Sequence, residues 1–241
     1  MLKNTASTLD QTSTHSRSDS LRHTPTDNPA HLRRRQNSGD LFFLLVSIVL
    51  ALVLRVDFQM ANDFTIDSDE AIVGLMAKHI LEGHEIPTFY YGQEYMGSFE
   101  PLIVSAVFAV FGISETTLKA VPIGFSIIFL VLVYAIGNEL GGRYVARVAA
   151  FLAAISPSTL LIWSAKARGG FIEIMCIGSL AFLLTIYWLK KERVSYGLTL
   201  AIGGILGFGW WVNNQVIYFM LPIGFAFLAR SLHEPGLSIV A

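Results

Sequence analysis

The sequence predicts an all-α fold: a polytopic integral membrane protein with about six transmembrane helices and juxtamembrane amphipathic helices. Two observations predict it. The chain is 53% hydrophobic, with a mean hydropathy of +0.55, and its apolar residues are gathered into long runs, as in membrane proteins. The net charge of −1 gives no reason to expect nucleic acid as a partner, and the single cysteine, Cys176, excludes a disulfide framework.

Residues 1–40 differ from the rest of the chain. They are rich in Ser, Thr, Asn and Asp and poor in apolar residues, so they cannot bury enough surface to fold and are predicted to be a disordered tail. Three consecutive arginines, Arg33 to Arg35, lie close to the first apolar run. The positive-inside rule therefore places this tail in the cytoplasm, and residues 41–241 form the predicted transmembrane module.

Six segments have the length and apolarity expected of a membrane-spanning helix, which needs about 20 residues to cross ~30 Å of hydrocarbon. Arg55, near the end of the first, is expected to extend to the lipid headgroups, and Pro157 is expected to be a tolerated kink within the third. The predicted spans are residues 41–58, 120–138, 144–163, 172–189, 196–212 and 215–230.

A seventh apolar segment, residues 99–112, has only 14 residues and suits an interfacial or re-entrant helix better than a span. If it does not cross, Arg143, Arg147 and the basic stretch 189–193 are all cytoplasmic, as the positive-inside rule favours. We therefore expect both ends of the module to be cytoplasmic. Residues 59–119 and the loop around residues 164–175 then lie on the outer face.

The first outer loop is acidic: nine of the 18 carboxylates of the chain lie between residues 57 and 100. It contains a predicted amphipathic helix that begins at Ser68 or Asp67 as N-cap and ends at Gly83. Its apolar face is predicted to comprise Ile72, Leu75, Met76, His79 and Ile80. Two interpretations of Asp69 and Glu70 in its first turn remain open: they complement the helix dipole, or they serve a functional site.

The second outer loop places Lys166, Arg168 and Glu173 at a membrane edge, with Gly169 and Gly170 allowing an unusual backbone conformation. The two cations either contact lipid phosphates nonspecifically or bind the phosphate of a lipid-linked substrate. The stretch from Asp67 to Asp69 offers two carboxylates without further fixed ligands, so a metal is not expected there.

Aromatic residues near the outer face have two interpretations. Tyr95 and its neighbours either stack on a sugar or belong to an interfacial aromatic belt. The predicted outer turn at residues 210–215, "WWVNNQ", either lines a cavity or is a short polar connector between two spans.

An ordered series of motifs then becomes visible: an Asp-Glu pair that opens a helix, "YYGQEYMGSFEPL", "VFGISETTLKAVP" and "GNELGGRYVARVAAFLAAISPSTLLIWSAKARGGFIE". With these motifs in this order, the chain resembles the GT-C superfamily of membrane glycosyltransferases. It is most similar to the glycosyltransferase family 39 branch, which includes the protein O-mannosyltransferases and the lipid A aminoarabinose transferase. The similarity runs from about residue 41 to 190, and is densest from 67 to 173. Family members usually continue through more spans, so the chain is expected to be truncated at its C-terminus relative to them.

The resemblance implies an enzyme that transfers a sugar from a polyprenyl-phosphate donor on the outer face of the membrane. Asp69, with Glu70 beside it, matches the family's general base, and Arg168, together with Lys166, matches the position that holds the donor phosphate. Glu173 is a candidate for a second acidic role. The family often has Lys-Pro-Pro-Leu where this chain has Phe-Glu-Pro-Leu. The lysine and one proline are therefore absent here, and the resemblance does not imply a phosphate-binding role for Glu100. Glu100 and Tyr95 are both candidates for binding the substrate.

The partners expected on this basis are the lipid-linked sugar donor, membrane lipids and an acceptor that is a protein, a lipid or a glycan. The expected location is the plasma (inner) membrane. No cofactor is expected, since the leaving group is a monophosphate rather than a diphosphate and its charge does not require a metal ion. The alternative is a non-catalytic membrane protein, such as a lipid-linked sugar carrier or transporter, or an inactive fragment. Transporters place ionisable groups within spans near the midplane, whereas the acids of this chain cluster in an outer loop.

Overall fold

The structure, a computed structural model, describes residues 29–233, with side chains for residues 38–232. The described part is mostly helical, with one short β-hairpin. Its elements are α1 Pro29–Ala61, α2 Ser68–Leu81, β1 Phe89–Tyr90, β2 Gln93–Gly97, α3 Phe99–Phe111, α4 Glu115–Ala154, α5 Ser158–Trp163, α6 Phe171–Leu189, α7 Tyr196–Val212, a 3₁₀ turn Asn214–Val216 and α8 Ile217–His233. The predicted disordered tail lies mainly outside the described residues, and its last part, residues 29–40, belongs to α1.

Four helical segments of the described chain are long and apolar enough to cross a membrane, as expected of a membrane protein. They are Ser38–Ala61, Glu115–Ala154, Phe171–Leu189 and Asn214–Leu232. The helices α3 and α7, with 13 and 17 residues, are apolar but shorter. The predicted count of six spans therefore stays a prediction.

Helix α4 turns back on itself at Gly142, where φ is 72° and ψ is −170°. A Cβ atom on Gly137 would lie 2.9 Å from the Cα atom of Ala146, whereas nine residues of straight helix would separate the two by about 13 Å. The residues before and after Gly142 therefore form a helical hairpin. Its two arms correspond to the predicted spans 120–138 and 144–163.

The second of these predicted spans is not one helix. Helix α4 ends at Ala154, and Pro157 is the N-cap of the short helix α5. Proline has no N–H to donate and clashes with the preceding turn, so Pro157 breaks the segment where only a kink was expected.

Helix α2 confirms its predicted ends and corrects its predicted buried face. Asp67 is the N-cap and Gly83 follows the C-cap with φ of 85°. The buried face comprises Glu70, Val73, Met76 and Ala77, whereas Leu75, which was expected to belong to it, is exposed. The reason is that α2 packs against α3 and α4, so tertiary contacts select a face rotated from the one that periodicity indicated.

Arg55 also differs from expectation. Its side chain is buried rather than extended to headgroups, and it donates hydrogen bonds to the carbonyls of Ala51 (3.1 Å) and Ala154 (3.3 Å) and to the hydroxyl of Ser156 (3.3 Å). Ala154 is the last residue of α4, and the final carbonyls of a helix lack helical partners and carry partial negative charge. Arg55 therefore binds the C-terminal end of α4.

Polar side chains form long-range contacts at two ends of the helical unit. At one end, Asp40 pairs with Arg143 (3.2 Å) and Arg147 (2.5 Å). At the other end, Gln59 binds the carbonyl of Ala165, in the loop after α5. The 20 residues of α1 from Asp40 to Gln59 span about 28 Å, close to the ~30 Å of a bilayer's hydrocarbon core. These ends are called below the Asp40 end and, because Lys166 beside Ala165 pairs with Asp67, the Asp67 end.

Candidate functional site

The two segments predicted to be outer loops meet at the Asp67 end. The Asp67 carboxylate is bound by the Lys166 ammonium at 3.1 Å and by the Arg168 guanidinium. Burial alone would raise the pKa of Asp67, but hydrogen bonds from the Glu70 amide, Arg168 and Lys166 outweigh it and lower that pKa to about 2. Asp67 is therefore ionised at any physiological pH, and it holds both cations at the start of α2.

Glu70 is fully buried beneath this contact. Its Oε1 atom pairs with the Nζ atom of Lys119 at 2.7 Å, and its Oε2 atom accepts the Asp67 N–H at 3.3 Å, which completes a capping box. Lys166 lies 3.6 Å from the same carboxylate. These contacts give Glu70 a structural role in joining α2 to α4, while its predicted part in catalysis stays a prediction.

Asp69 differs from both of these acids. No described residue donates a hydrogen bond to its side chain, which is only partly buried. Its backbone carbonyl accepts the hydroxyl of Tyr90 at 2.8 Å. Burial, followed by the negative charges of Asp69 and Glu100, raises the pKa of that hydroxyl. The backbone of Asp69 is thus fixed while its carboxylate is left available.

Glu100 organises the backbone of the second loop. Its Oε2 atom accepts the N–H groups of Gly169 (2.5 Å) and Gly170 (3.1 Å), which have φ of 84° and 97°. Successive N–H groups in such a conformation form an anion-binding concavity, here at the N-terminus of α6. Burial nevertheless raises the pKa of Glu100 to about 7, against these two hydrogen bonds. The side chain of Glu100 is 1% exposed. Its expected contact with the substrate stays a prediction.

Glu173 lies in the first turn of α6. It is fully buried, and neither of its carboxylate oxygens has a hydrogen-bond partner among the described residues. The second oxygen of Glu100 is unpartnered in the same sense. An acidic role for Glu173 is compatible with this position, but the carboxylate does not reach the surface.

The β-hairpin, which the all-α prediction did not include, joins the site to the third loop of this end. Met96 forms a β-bridge with Asn213, and the indole N–H of Trp211 donates to the carbonyl of Thr88 at 3.0 Å. On the site side, Tyr90 and Met96 pack against Gly169. Tyr95, half exposed on β2, points away from that contact toward Trp210 and Trp211.

No group of three or more His, Cys, Asp or Glu side chains that could hold a metal ion occurs in the part of the chain that the structure describes. Asp67, one of the two carboxylates of the Asp-Ser-Asp stretch, is already bound by two cations. The chemistry this arrangement can support is that of fixed cations beside an available carboxylate.

Lys119 is the residue of this end that sequence reasoning missed. It is 1% exposed, pairs with Glu70, and donates to the carbonyl of Thr65 at 3.2 Å. The signal for it was a single lysine in the otherwise apolar stretch "LKAVPIGF", because a charge at such a position is rarely retained without a partner.

Comparison with known proteins gives no match: no protein family, no curated protein and no solved structure matches this chain.

Proposed function

We propose that this chain is a membrane glycosyltransferase that moves a sugar from a polyprenyl-phosphate donor to an acceptor hydroxyl at the Asp67 end, which faces the outside of the cell membrane. The proposal includes six spans, of which the short helix α7 and the broken segment after Gly142 supply two. Asp69 is the general base, and Lys166 and Arg168 bind the donor phosphate.

One observation carries the proposal: Lys166 and Arg168 converge on the N-terminus of α2, two residues before the available carboxylate of Asp69. Asp67 does not exhaust these cations. The side chains of Lys166 and Arg168 are 15% and 29% exposed, and a guanidinium has five donors in a planar fork that suits phosphate. A phosphate can therefore share the cations with Asp67, and the acceptor hydroxyl can approach Asp69 beside it.

The chemistry follows from these positions. Asp69 takes the proton of the acceptor hydroxyl, whose oxygen attacks the anomeric carbon of the donor sugar. The bond between that carbon and the phosphate oxygen breaks, and the polyprenyl phosphate leaves with the bonding electrons. Lys166 and Arg168 stabilise the negative charge that develops on the leaving phosphate, while Glu70 and Glu100 hold the two loops in place.

An apolar groove supports a lipid-linked donor. It has a volume of about 560 Å³ and runs between α3 and α4, lined in part by Val107, Phe111, Ala120 and Val121. Its Ala120 directly follows Lys119, the partner of Glu70. The prenyl chain of the donor would lie in this groove with its phosphate toward the cations.

The test is native mass spectrometry of the protein purified from its own cells in mild detergent, together with Arg168→Ala and Lys190→Ala. Lys190 is the matched control, a cation at the Asp40 end that pairs with Glu139. We expect a polyprenyl-phosphate sugar on the unmodified protein and on the control, lost from Arg168→Ala. Bulk phospholipid alone on all three proteins would contradict the donor site.

A further inference from the structure

A second cavity at the Asp67 end is separate from the charged cluster. It has a volume of about 320 Å³, within the ~300–1,000 Å³ range of small-molecule sites. It lies between the β-hairpin and the turn that joins α7 to α8. Its lining residues are Phe89, Glu94, Tyr95, Trp210, Trp211 and Asn214.

The aromatic part of this pocket is exposed yet held in place. Phe89, Tyr95 and Trp210 are 45%, 50% and 51% exposed. Trp211 is fixed by its hydrogen bond to Thr88 and by Gly97, where an added Cβ would lie 2.8 Å from the indole. Aromatic rings carry a negative face. The C–H groups on one side of a pyranose ring present weak positive charge to such a face.

The polar part of the pocket restricts the charge of its ligand. Glu94 is the only charged residue in the lining, and neither it nor the Asn214 side chain has a hydrogen-bond partner among the described residues. A carboxylate beside the rings repels the phosphate of a lipid headgroup. It accepts hydrogen bonds from hydroxyl groups, and the amide of Asn214 both donates and accepts them. Rings with a carboxylate and an amide therefore fit a neutral polyhydroxyl ligand.

The two walls of the pocket are joined to each other. The bridge between Met96 and Asn213 joins β2 to the turn after α7. Successive residues of a strand point to opposite faces, so Tyr95 faces the pocket while Met96 packs against Gly169, beside Arg168. The hairpin thus separates the pocket from the charged cluster by the thickness of one strand.

We propose that this pocket binds an uncharged saccharide. Stacking on Tyr95 and Trp210 supplies the contact, and Glu94 and Asn214 bind its hydroxyl groups. If the proposed function holds, on which this assignment rests, the saccharide belongs to the acceptor. The acceptor is then a glycan or a glycosylated molecule. Saccharide binding itself does not depend on transfer activity, so its failure and the failure of the proposed function can be told apart.

The test is saturation-transfer NMR on the full chain in lipid nanodiscs, prepared without glycosidic detergent. The probes are the methyl glycosides of glucose, galactose, mannose and N-acetylglucosamine, with phosphocholine as a headgroup probe. The variants are Trp210→Ala, Glu94→Gln and Arg168→Ala. Tyr144→Ala is the matched control, since Tyr144 is an aromatic residue that is 78% exposed outside the pocket.

We expect saturation of the ring protons of at least one glycoside. Trp210→Ala should weaken binding by about tenfold, and Glu94→Gln should weaken it less. Tyr144→Ala and Arg168→Ala should leave it unchanged. No saturation of any glycoside, equal loss in the Tyr144 control, or saturation of phosphocholine alone would each overturn the proposal. If glycosides bind normally but no polyprenyl-phosphate sugar is captured by the cations, the pocket stands and the proposed function falls.

Discussion

Replacing Lys119 by methionine should strongly destabilise the protein. The Lys119 ammonium lies 2.7 Å from the Glu70 carboxylate, and the two side chains are 1% and 0% exposed. Methionine fills a similar volume but leaves the carboxylate buried without its closest counter-charge. Removing one partner of a buried pair typically costs about 3–5 kcal/mol, because the remaining buried charge loses its closest counter-charge; for Glu70, Lys166 at 3.6 Å stays as a more distant one. We expect Lys119→Met to lower the free energy of unfolding by about that amount.

A double-mutant cycle with Glu70→Gln isolates the pair. Glutamine still accepts the Asp67 N–H, so the capping box is kept, and Glu70→Gln combined with Lys119→Met leaves neither charge. The double variant should therefore cost less than the sum of the single variants, with a coupling energy of about 2 kcal/mol or more. The assay is equilibrium unfolding in mixed micelles, followed by the fluorescence of the four tryptophans.

The control for this experiment is Lys78→Met. Lys78 pairs with Glu82 at 3.7 Å, but both side chains are about half exposed, and an exposed pair of this kind is worth about 0.5 kcal/mol or less. If Lys119→Met costs no more than Lys78→Met, or if the two changes at Glu70 and Lys119 are additive, the structural role assigned to Glu70 is wrong.

Two further predictions concern the turn before α6. Glu100 has its pKa raised from 4.5 to about 7 in the folded protein, so its contribution to stability is fully present below about pH 4.5 and is lost as the pH rises through about 7. The loss amounts to about 3 kcal/mol. Glu100→Gln, whose amide oxygen can still accept the glycine N–H groups, should reduce this decline of the free energy of unfolding between those pH values. An unchanged decline would refute the assignment. Gly170→Ala should lower the free energy of unfolding by about 1–3 kcal/mol, because φ is 97° and the new Cβ would lie 3.0 Å from Val212. Gly203→Ala, with open space around it in α7, should be neutral or stabilising in the same assay.

Local signals predicted much of this structure. The helix-capping residues around Asp67 and Gly83 identified the ends of α2, because capping depends on a few adjacent residues. Apolar length and the distribution of basic residues placed Lys166 and Arg168 at the same end as Asp67, and the structure brings them together. Each of these features is fixed by neighbours in the chain or by the average polarity of a segment.

Features that depend on tertiary contacts were not predictable in the same way. The partner of Arg55 is a carbonyl 99 residues away, and the partner of Lys119 is 49 residues away. The hairpin of residues 89–97 is held by Trp211 and Asn213 from the other end of the chain, so its sequence alone did not distinguish it from an irregular loop. From the sequence, Glu100 cannot be told from a surface acid, because the N–H groups of Gly169 and Gly170 that bind it are about 70 residues away.

The most direct test of the central claim is the rate of sugar transfer by Asp69→Asn. The assay measures release of polyprenyl phosphate from the endogenous donor in membranes of cells that express the chain. Glu82→Gln is the control, an acid at the other end of α2. General-base catalysis contributes about 10²–10⁴-fold to rate. We predict a loss of that size in Asp69→Asn, with donor capture and folding retained and the control unchanged. Full transfer by a folded Asp69→Asn protein would contradict the account.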